Sequence, residues 1–340
     1  MEYDICKLDT INSLALAREL MALDVKEPFT FNARMDWVRP FGMLYTASAL
    51  KWFRGMYPSI PFNMNLNLSK SCITYAGHMG FFKAISEKIQ MGKLPGEAYG
   101  NSNYIPILEI NFEQMLRDEI AKGNYSEFGE MIEKESARLA LVLTRQKNEL
   151  HSILTYLIRE ILRNIADHSE QKRAWVCGQY WSDNTAEVAI LDEGIGIRNS
   201  LRRNKEHKKY IKQDDEAIKW AIKAGISQAF NPRKKNRKED IWSNSGFGLY
   251  MVNEICKELR GSFTLATGER YLNRTPDGNT RYGDTNFQGT AVRIGIPTNE
   301  ITNGRDIIQR IAKQGEEQAK LIRNAFKQAS TPSKGLITDL

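Results

Sequence analysis

The sequence predicts an α/β protein in the wide sense that includes α+β folds. We expect a two-layer sandwich, a mixed sheet covered by helices, preceded by a small α/β domain. Three observations support this fold class. The chain has 340 residues, enough for two domains. Strand and helix periodicities alternate through the first part of the chain. A long helical pattern then precedes two pairs of strand patterns that flank a further helix.

The first half of the chain predicts a small α/β domain over residues 1–115. Its clearest strand is at 60–68, where apolar residues alternate with polar ones and define one buried face. The segment 91–103 is rich in Gly, Pro, Asn and Ser, which is typical of a loop before a last strand. In chain order the patterns are a strand at 28–34, a helix at 39–56, the strand at 60–68, a helix at 71–88 and a strand at 104–110.

The second half predicts a larger domain over residues 116–298 and a helical tail over residues 299–340. A helical pattern begins near residues 112–130 and runs to about residue 168, a length that indicates two helices or one broken helix. The tail is charged, and we expect it to pack on the domain or to mediate assembly. The remaining patterns are strands at 174–181, 185–192, 262–267 and 289–296, and a helix at 246–260.

Composition argues against several classes of protein. The chain has no apolar run of about 18 or more residues, so we expect no membrane span. Its N-terminus lacks a basic region followed by an apolar stretch, so we expect no secretory signal. The four cysteines show no metal-ligand spacing and are expected to be buried, reduced thiols in a cytoplasmic protein. The GxxxxGK[ST], HExxH and GxSxG motifs are also missing.

One helical pattern carries a polar face. Glu160 and Asn164 are four residues apart and Asp167 is three further on, so the three side chains share one face of a helix. A carboxylate, an amide and a second carboxylate therefore lie together beside an apolar face. Taken alone, the pattern is weak evidence, and a solvated polar stripe on an amphipathic helix is the favoured interpretation.

Two glycine-containing turns follow along the chain. A strand ends at Asp192 and continues into Gly194 and Gly196, which permit positive φ and close approach of the backbone to a ligand. Gly246 and Gly248 stand directly before a helical pattern, where free backbone N–H groups favour phosphate. An Asp-Gly turn and a flexible glycine hinge are the plain alternatives. The last strand opens with Thr290, which suits a contact with Asp192 or an ordinary strand position.

Over residues 130–298 the chain resembles the GHKL superfamily, through four motifs in this order: an E-x-x-x-N helix, a D-x-G-x-G strand end, a G-x-G-L helix start and a final G-T strand. That superfamily includes DNA gyrase B subunits, heat-shock chaperones of the ninety-kilodalton class, MutL proteins and sensor histidine kinases. The resemblance implies a Bergerat-type fold that binds ATP and Mg²⁺.

The resemblance also implies roles for particular residues. Asn164 would coordinate Mg²⁺, Asp192 would read the adenine amino group, and Thr290 would support Asp192. Asp167 would lie near the nucleotide behind the residues that contact it. The implied nucleotide-binding residues are Asn164, Asp167, Asp192, Gly194, Gly196, Ile197, Gly246, Phe247, Gly248, Leu249, Tyr250 and Thr290.

Residues 197–245 would form a lid over the triphosphate, and the positive charge of the chain lies there. Residues 198–240 contain 14 Lys/Arg against 6 Asp/Glu, a local balance of +8 that leaves −1 for the rest of the chain. A loop over a triphosphate needs positive charge, and so does a nucleic-acid-binding patch. Charge alone leaves both open, although Tyr210, Trp220 and Phe230 are expected to pack the lid helices and not to contact bases.

Glu160 would act as the general base for hydrolysis in the gyrase and chaperone branches. A kinase needs a phosphoacceptor as well, and His151 is disfavoured because it lies only nine residues before Glu160 in the same helical segment. We therefore expect an ATPase whose lid acts as a switch for a protein partner or a homodimer. An anti-sigma-type serine/threonine protein kinase and an ATP-dependent nucleic-acid-associated regulator are the alternatives.

The first domain loosely resembles the STAS modules of anti-anti-sigma factors, through residues 37–50 and 75–85. In those modules a serine precedes a glycine and is phosphorylated. Here Phe41 precedes Gly42, so a serine switch is not expected. The resemblance implies a docking or dimerisation module.

Overall fold

The computed structural model describes residues 1–123, 127–146, 148–230, 245–298, 301 and 303–331. The most basic part of the expected lid, residues 232–240, lies outside these described residues. Two sheets organise the chain, one of three strands and one of five.

The N-terminal sheet is parallel, in the order β1-β2-β3, because a helix crosses over between successive strands. The predicted helix at 71–88 is wrong as one element: Gly80 adopts φ +89° and separates two short helices. The first strand and helix were not predicted, because only Ile5 and Leu8 of that strand are buried and its alternation is weak. The elements are β1 (Glu2–Leu8), α1 (Thr10–Met21), β2 (Phe29–Val38), α2 (Pro40–Met56), β3 (Phe62–Leu66), α3 (Ser71–His78) and α4 (Phe81–Ile85).

The second sheet is antiparallel throughout, in the order β4-β5-β6-β8-β7. Its edge strand β4 is the strand that the sequence analysis placed in the first domain; it pairs instead with β5. The β7–β8 hairpin is longer than predicted and extends beyond the sheet. The strands are β4 (Tyr104–Asn111), β5 (Arg173–Tyr180), β6 (Thr185–Asp192), β7 (Ser262–Arg274) and β8 (Thr280–Pro297).

Helices α6, α7 and α11 cover one face of this sheet. The long helical pattern is divided into three helices; the third begins after Asn148, whose side chain accepts a hydrogen bond of 2.9 Å from the backbone N–H of His151. The described helices are α5 (Phe112–Ala121), α6 (Phe128–Thr144), α7 (Glu149–His168), α8 (Gly196–Arg202), α9 (Lys205–Lys208), α10 (Asp214–Ala221), α11 (Gly248–Glu258) and α12 (Gly304–Leu321).

The opposite face of the five-stranded sheet is covered by helices α1 and α2 of the N-terminal domain. Strand β6 is therefore buried on both sides. Val188 and Ile190 belong to the core under the helices, whereas Ala189 and Leu191 belong to the core shared with the N-terminal domain. The predicted two-layer sandwich is present, and the N-terminal domain adds a layer behind it.

A buried carboxylate joins the N-terminal domain to the sheet. Glu187 of β6 is 0% exposed and accepts hydrogen bonds from Arg39 at 3.2 Å, Arg293 at 3.1 Å and the backbone N–H of Phe41 at 3.3 Å. Burial would raise the pKa of Glu187, but the two guanidinium groups outweigh it and hold the pKa below its usual value. The carboxylate is therefore charged and paired.

The C-terminal tail packs on the second domain. Helix α12 lies against α7 and α11, and Gly315 is in close contact with the Tyr250 ring. Beyond α12 the backbone N–H of Phe326 donates to the Gly225 carbonyl at 2.8 Å, and that of Ser330 donates to Ser245 Oγ at 3.0 Å. The tail thus contacts both described ends of the expected lid.

Among the described residues, no helix is long and apolar enough to cross a membrane. The four cysteines are free thiols, and Cys177 and Cys256 are buried as predicted. The expectation of burial is wrong for Cys6, which is exposed on the open polar side of β1, and Cys72 is only half-buried.

We expect Glu187→Gln to lower the free energy of unfolding by about 3 kcal/mol, because it leaves two buried or half-buried guanidinium groups without their counter-charge. Urea denaturation followed by tryptophan fluorescence measures this change. The matched control is Glu317→Gln, which removes an exposed ion pair with Lys320 and should leave the free energy of unfolding nearly unchanged. Equal, small losses for both variants would contradict the assignment of Glu187.

Candidate functional site

A cavity opens to solvent between helix α7, the ends of β6 and β8, and helices α8 and α11. Its wall is mainly apolar, with few polar groups, which is typical of a small-molecule site. The predicted site residues that line it are Asn164, Asp192, Gly196, Ile197, Gly246, Gly248, Leu249 and Thr290.

Asp192 lies at one end of this cavity and is 2% exposed. Its Oδ1 accepts a 2.8 Å hydrogen bond from the backbone N–H of Gly194, and Thr290, its partner on β8, hydrogen-bonds to it through both backbone and hydroxyl. Burial outweighs these bonds and raises the pKa of Asp192 to about 7. A carboxylate held in this way suits a neutral donor such as the exocyclic amine of adenine.

The turn after Asp192 is fixed by close backbone contacts. A Cβ on Gly194 would lie 2.1 Å from the Ser169 carbonyl oxygen, so only glycine lets the turn approach the end of α7. Thr267 completes the turn: its hydroxyl accepts from the Ile197 N–H at 3.1 Å and donates to the Gly289 carbonyl at 2.9 Å. The sequence analysis did not identify Thr267, since a strand threonine carries no motif.

The other end of the cavity is the N-terminus of helix α11. The N-cap residue, Phe247, has no side-chain hydrogen bond to the helix, and backbone N–H groups at the start of a helix favour an anion. A Cβ on Gly248 would lie 2.8 Å from Glu160 Oε2 and 3.2 Å from Asn164 Nδ2. Glu160, Asn164 and Gly248 are therefore brought together, as the E-x-x-x-N spacing predicted.

Glu160 is buried and ion-paired. Its Oε1 accepts a hydrogen bond from Arg159 at 2.9 Å, and Arg163 lies 4.0 Å away. Arg159 also pairs with Glu133 of α6 at 3.0 Å. The sequence analysis missed these arginines, although their positions one residue before and three residues after Glu160 are visible in the sequence.

Several predicted residues lie elsewhere. Asp167 is exposed and does not line the cavity, because that side of the last turn of α7 faces solvent; the next residue, His168, lines it instead. Burial lowers the pKa of His168. Phe247 and Tyr250 are buried against Gly315 of α12 and not against the cavity. They support helix α11 from behind.

The described part of the lid contributes Ser200, Leu201 and residues 226–228 to the cavity wall. Its aromatic residues pack together as expected: Tyr210 stacks on Trp220 with centroids 5.2 Å apart. Much of its positive charge is neutralised locally, for example by the Arg198–Asp214 pair at 3.3 Å. No lysine or arginine is found among the lining residues that the structure describes.

Residues 150–300 match the family model of histidine kinase-, DNA gyrase B- and HSP90-like ATPases. This part of the chain is therefore a domain of that family, and it contains the whole lining of the cavity. Domains of this family bind ATP, generally with Mg²⁺. Comparison with curated proteins and with solved structures gave no significant match.

ATP affinity should fall about tenfold from pH 8 to pH 6, because the ionised fraction of a carboxyl with a pKa of about 7 falls by that factor. The stability of the free protein depends on pH in the opposite direction. The pKa of Asp192 in the folded protein exceeds its ordinary value of 3.8, so the protonated form favours folding at low pH. This contribution to stability is lost as the pH rises to about 7. Calorimetric titration with a non-hydrolysable ATP analogue checks the binding.

Inorganic triphosphate is the control ligand for this titration, since its phosphates also titrate but it has no base to reach Asp192. An equal pH dependence for the two ligands would show that phosphate protonation alone is being measured.

Gly248→Ala should weaken binding of the ATP analogue at least about tenfold, because the new methyl group must displace the Glu160 carboxylate or the Asn164 amide. Gly55→Ala is the matched control: it lies in helix α2 with nothing within 4 Å of the added methyl. The control should bind the analogue like the unchanged protein and melt slightly higher. Normal binding by Gly248→Ala would place the phosphates elsewhere.

Proposed function

We propose that the chain is an ATPase that binds Mg-ATP in this cavity and hydrolyses it with Glu160 as general base. The observation that supports the proposal is the meeting of Glu160, Asn164 and Gly248 at the start of α11, with Asp192 in the lining of the same cavity as Asn164 and Gly248. The adenine end offers a buried acceptor, and the phosphate end offers N–H donors. The cavity therefore fits both ends of the nucleotide.

Bound Mg²⁺ would neutralise charge on the phosphates, and the Asn164 amide oxygen would be its protein ligand. The remaining work falls to the chain itself. Glu160 Oε1 is held by Arg159, whereas Oε2 lies beside Gly248, which lines the cavity. Oε2 takes a proton from a water as the water oxygen attacks the γ-phosphorus, and the bond from the γ-phosphorus to the bridging oxygen breaks. ADP and phosphate are the products.

We extend the proposal to a switch in which the lid and the tail respond to nucleotide together. Two contacts between the lid and the tail support this extension. His207 Nε2 of the lid donates to the Asn324 carbonyl of the tail at 2.8 Å. The rings of Phe230 in the lid and Phe326 in the tail meet edge to face, with centroids 5.4 Å apart. A change in the lid would move the tail, which is the surface we assign to a protein partner or a second copy of the chain.

Protein kinase activity is the second candidate, because the residues of the site serve it as well. With Oε1 held by Arg159 and Oε2 beside Gly248, Glu160 is placed to take a proton from the hydroxyl of another protein as well as from water. His151 is no acceptor, because it donates to the Ala137 carbonyl at 3.0 Å and lies on the same rigid helix as Glu160. The nucleic-acid hypothesis depends on residues 232–240, outside the described residues.

Glu160→Gln should reduce phosphate release from ATP at least about a hundredfold while the affinity for an ATP analogue changes less than about threefold. The amide keeps the shape of the carboxylate but does not take up a proton. Phosphate release and calorimetric titration measure the two quantities. Glu258→Gln, at the far end of α11, is the matched control and should retain activity.

Transfer of label from γ-labelled ATP to any protein, including this chain, would instead identify a kinase. Full phosphate release by Glu160→Gln would exclude Glu160 as the base.

A further inference from the structure

Helix α2 of the N-terminal domain lies along strand β6 and is held at two places. Near the start of the strand, Glu187 binds the first turn of the helix through the backbone N–H of Phe41. Just past the end of the strand, Glu193 binds the middle of the helix: Ser48 Oγ donates to its Oε1 at 2.8 Å and Lys51 Nζ to its Oε2 at 2.6 Å. The two carboxylates fix the helix to the strand that carries Asp192.

Glu193 is the residue between Asp192 and Gly194 in the D-x-G-x-G turn. Side chains alternate across a strand, so Asp192 points with Val188 and Ile190 toward the cavity, whereas Glu193 points to the side of the N-terminal domain. One side of the turn thus meets the nucleotide and the other side meets α2.

The contacts of Glu193 are well defined. Ser48 is 9% exposed, and the Glu193 side chain retains only 26% exposure. Lys51 is further constrained because its ammonium lies 5.5 Å from the centre of the Trp175 ring. Both oxygens of Glu193 are therefore occupied by the same helix, which leaves the backbone of the turn little freedom on this side.

We infer that Ser48 and Lys51 are positioning residues for the adenine site: through Glu193 they hold the turn in the conformation in which Asp192 reads the base. The inference rests on the proposed binding of ATP. It gives the N-terminal domain a direct effect on nucleotide affinity. By linkage, a partner that shifts α2 changes ATP affinity, and ATP changes the affinity for that partner by the same factor.

A purely structural ion pair between domains makes a different prediction. Its loss would lower the melting temperature and weaken every ligand of the cavity alike. Loss of positioning acts on the base end only, since the phosphates are held by α11 on another part of the domain. A ligand with phosphates but no base separates the two.

The experiment compares Lys51→Met, Ser48→Ala and the double variant in the full chain, with a non-hydrolysable Mg-ATP analogue and inorganic triphosphate as probes. We expect the double variant to bind the analogue about five- to tenfold more weakly and to bind triphosphate unchanged. In steady-state hydrolysis KM for ATP should rise while kcat is retained. Lys51→Arg, which keeps the charge, should restore the affinity.

Lys70→Met is the matched control, because it removes a lysine and its ion pair with Asp36 from the same domain away from β6. Equal affinity of the double variant and this control for the analogue would overturn the inference, as would parallel weakening of both probes. Failure of the unchanged protein to bind the analogue would instead overturn the proposed function, and this is seen before any variant is compared.

Discussion

The burial of strand β6 on both faces is the constraint on which the rest of the structure depends. A strand covered by helices on one side and by a second domain on the other has no solvent for its polar side chains, so each must find a partner inside. Glu187 finds two guanidinium groups, and its pKa is held down. Asp192 receives only neutral donors, and its pKa rises to about 7. Of the two carboxylates on this strand, Glu187 is therefore paired with cations, whereas Asp192, which lines the cavity, is not.

The same difference in partners distinguishes the two carboxylates of the candidate site, Glu160 and Asp192. At the start of α11 the buried Glu160 is paired with Arg159, and its second oxygen lies beside Gly248. At the end of β6 Asp192 has no cation among its described partners, only the donors of Gly194 and Thr290, and burial raises its pKa to about 7. The candidate site thus combines one carboxylate that is paired with a cation and one that has only neutral donors.

The order of the motifs made the second domain predictable, because each motif combines a local turn with the end of a strand or helix. Glu160, Asp192 and Gly248 could each be identified from residue spacing within one such motif. Contacts between distant segments were not predictable in this way. Strand β4 joins the second sheet although it follows the first domain in the chain, and no local pattern states its partner. Asp167 has the helical spacing of a site residue, yet it lies on the side of the last turn of α7 that faces solvent. Arg159 carries no motif, and its role appears only when Glu160 and Glu133 are seen together.

Two segments outside the family-matching residues 150–300, the N-terminal domain and helix α12, each touch an element of the candidate site. Helix α2 holds Glu193, and α12 packs behind the start of α11 through Gly315. The β7–β8 hairpin links the N-terminal domain to the described part of the expected lid. Thr285 accepts a hydrogen bond from Tyr45 and donates one to the Leu14 carbonyl of α1. Elsewhere on the hairpin, Gly268 packs on Asp214 of the lid. Buried hydrogen bonds of this kind tolerate little displacement, because a shifted donor leaves a buried acceptor unpaired. A displacement of Asp214 would therefore act on the hairpin and, through Thr285, on the N-terminal domain.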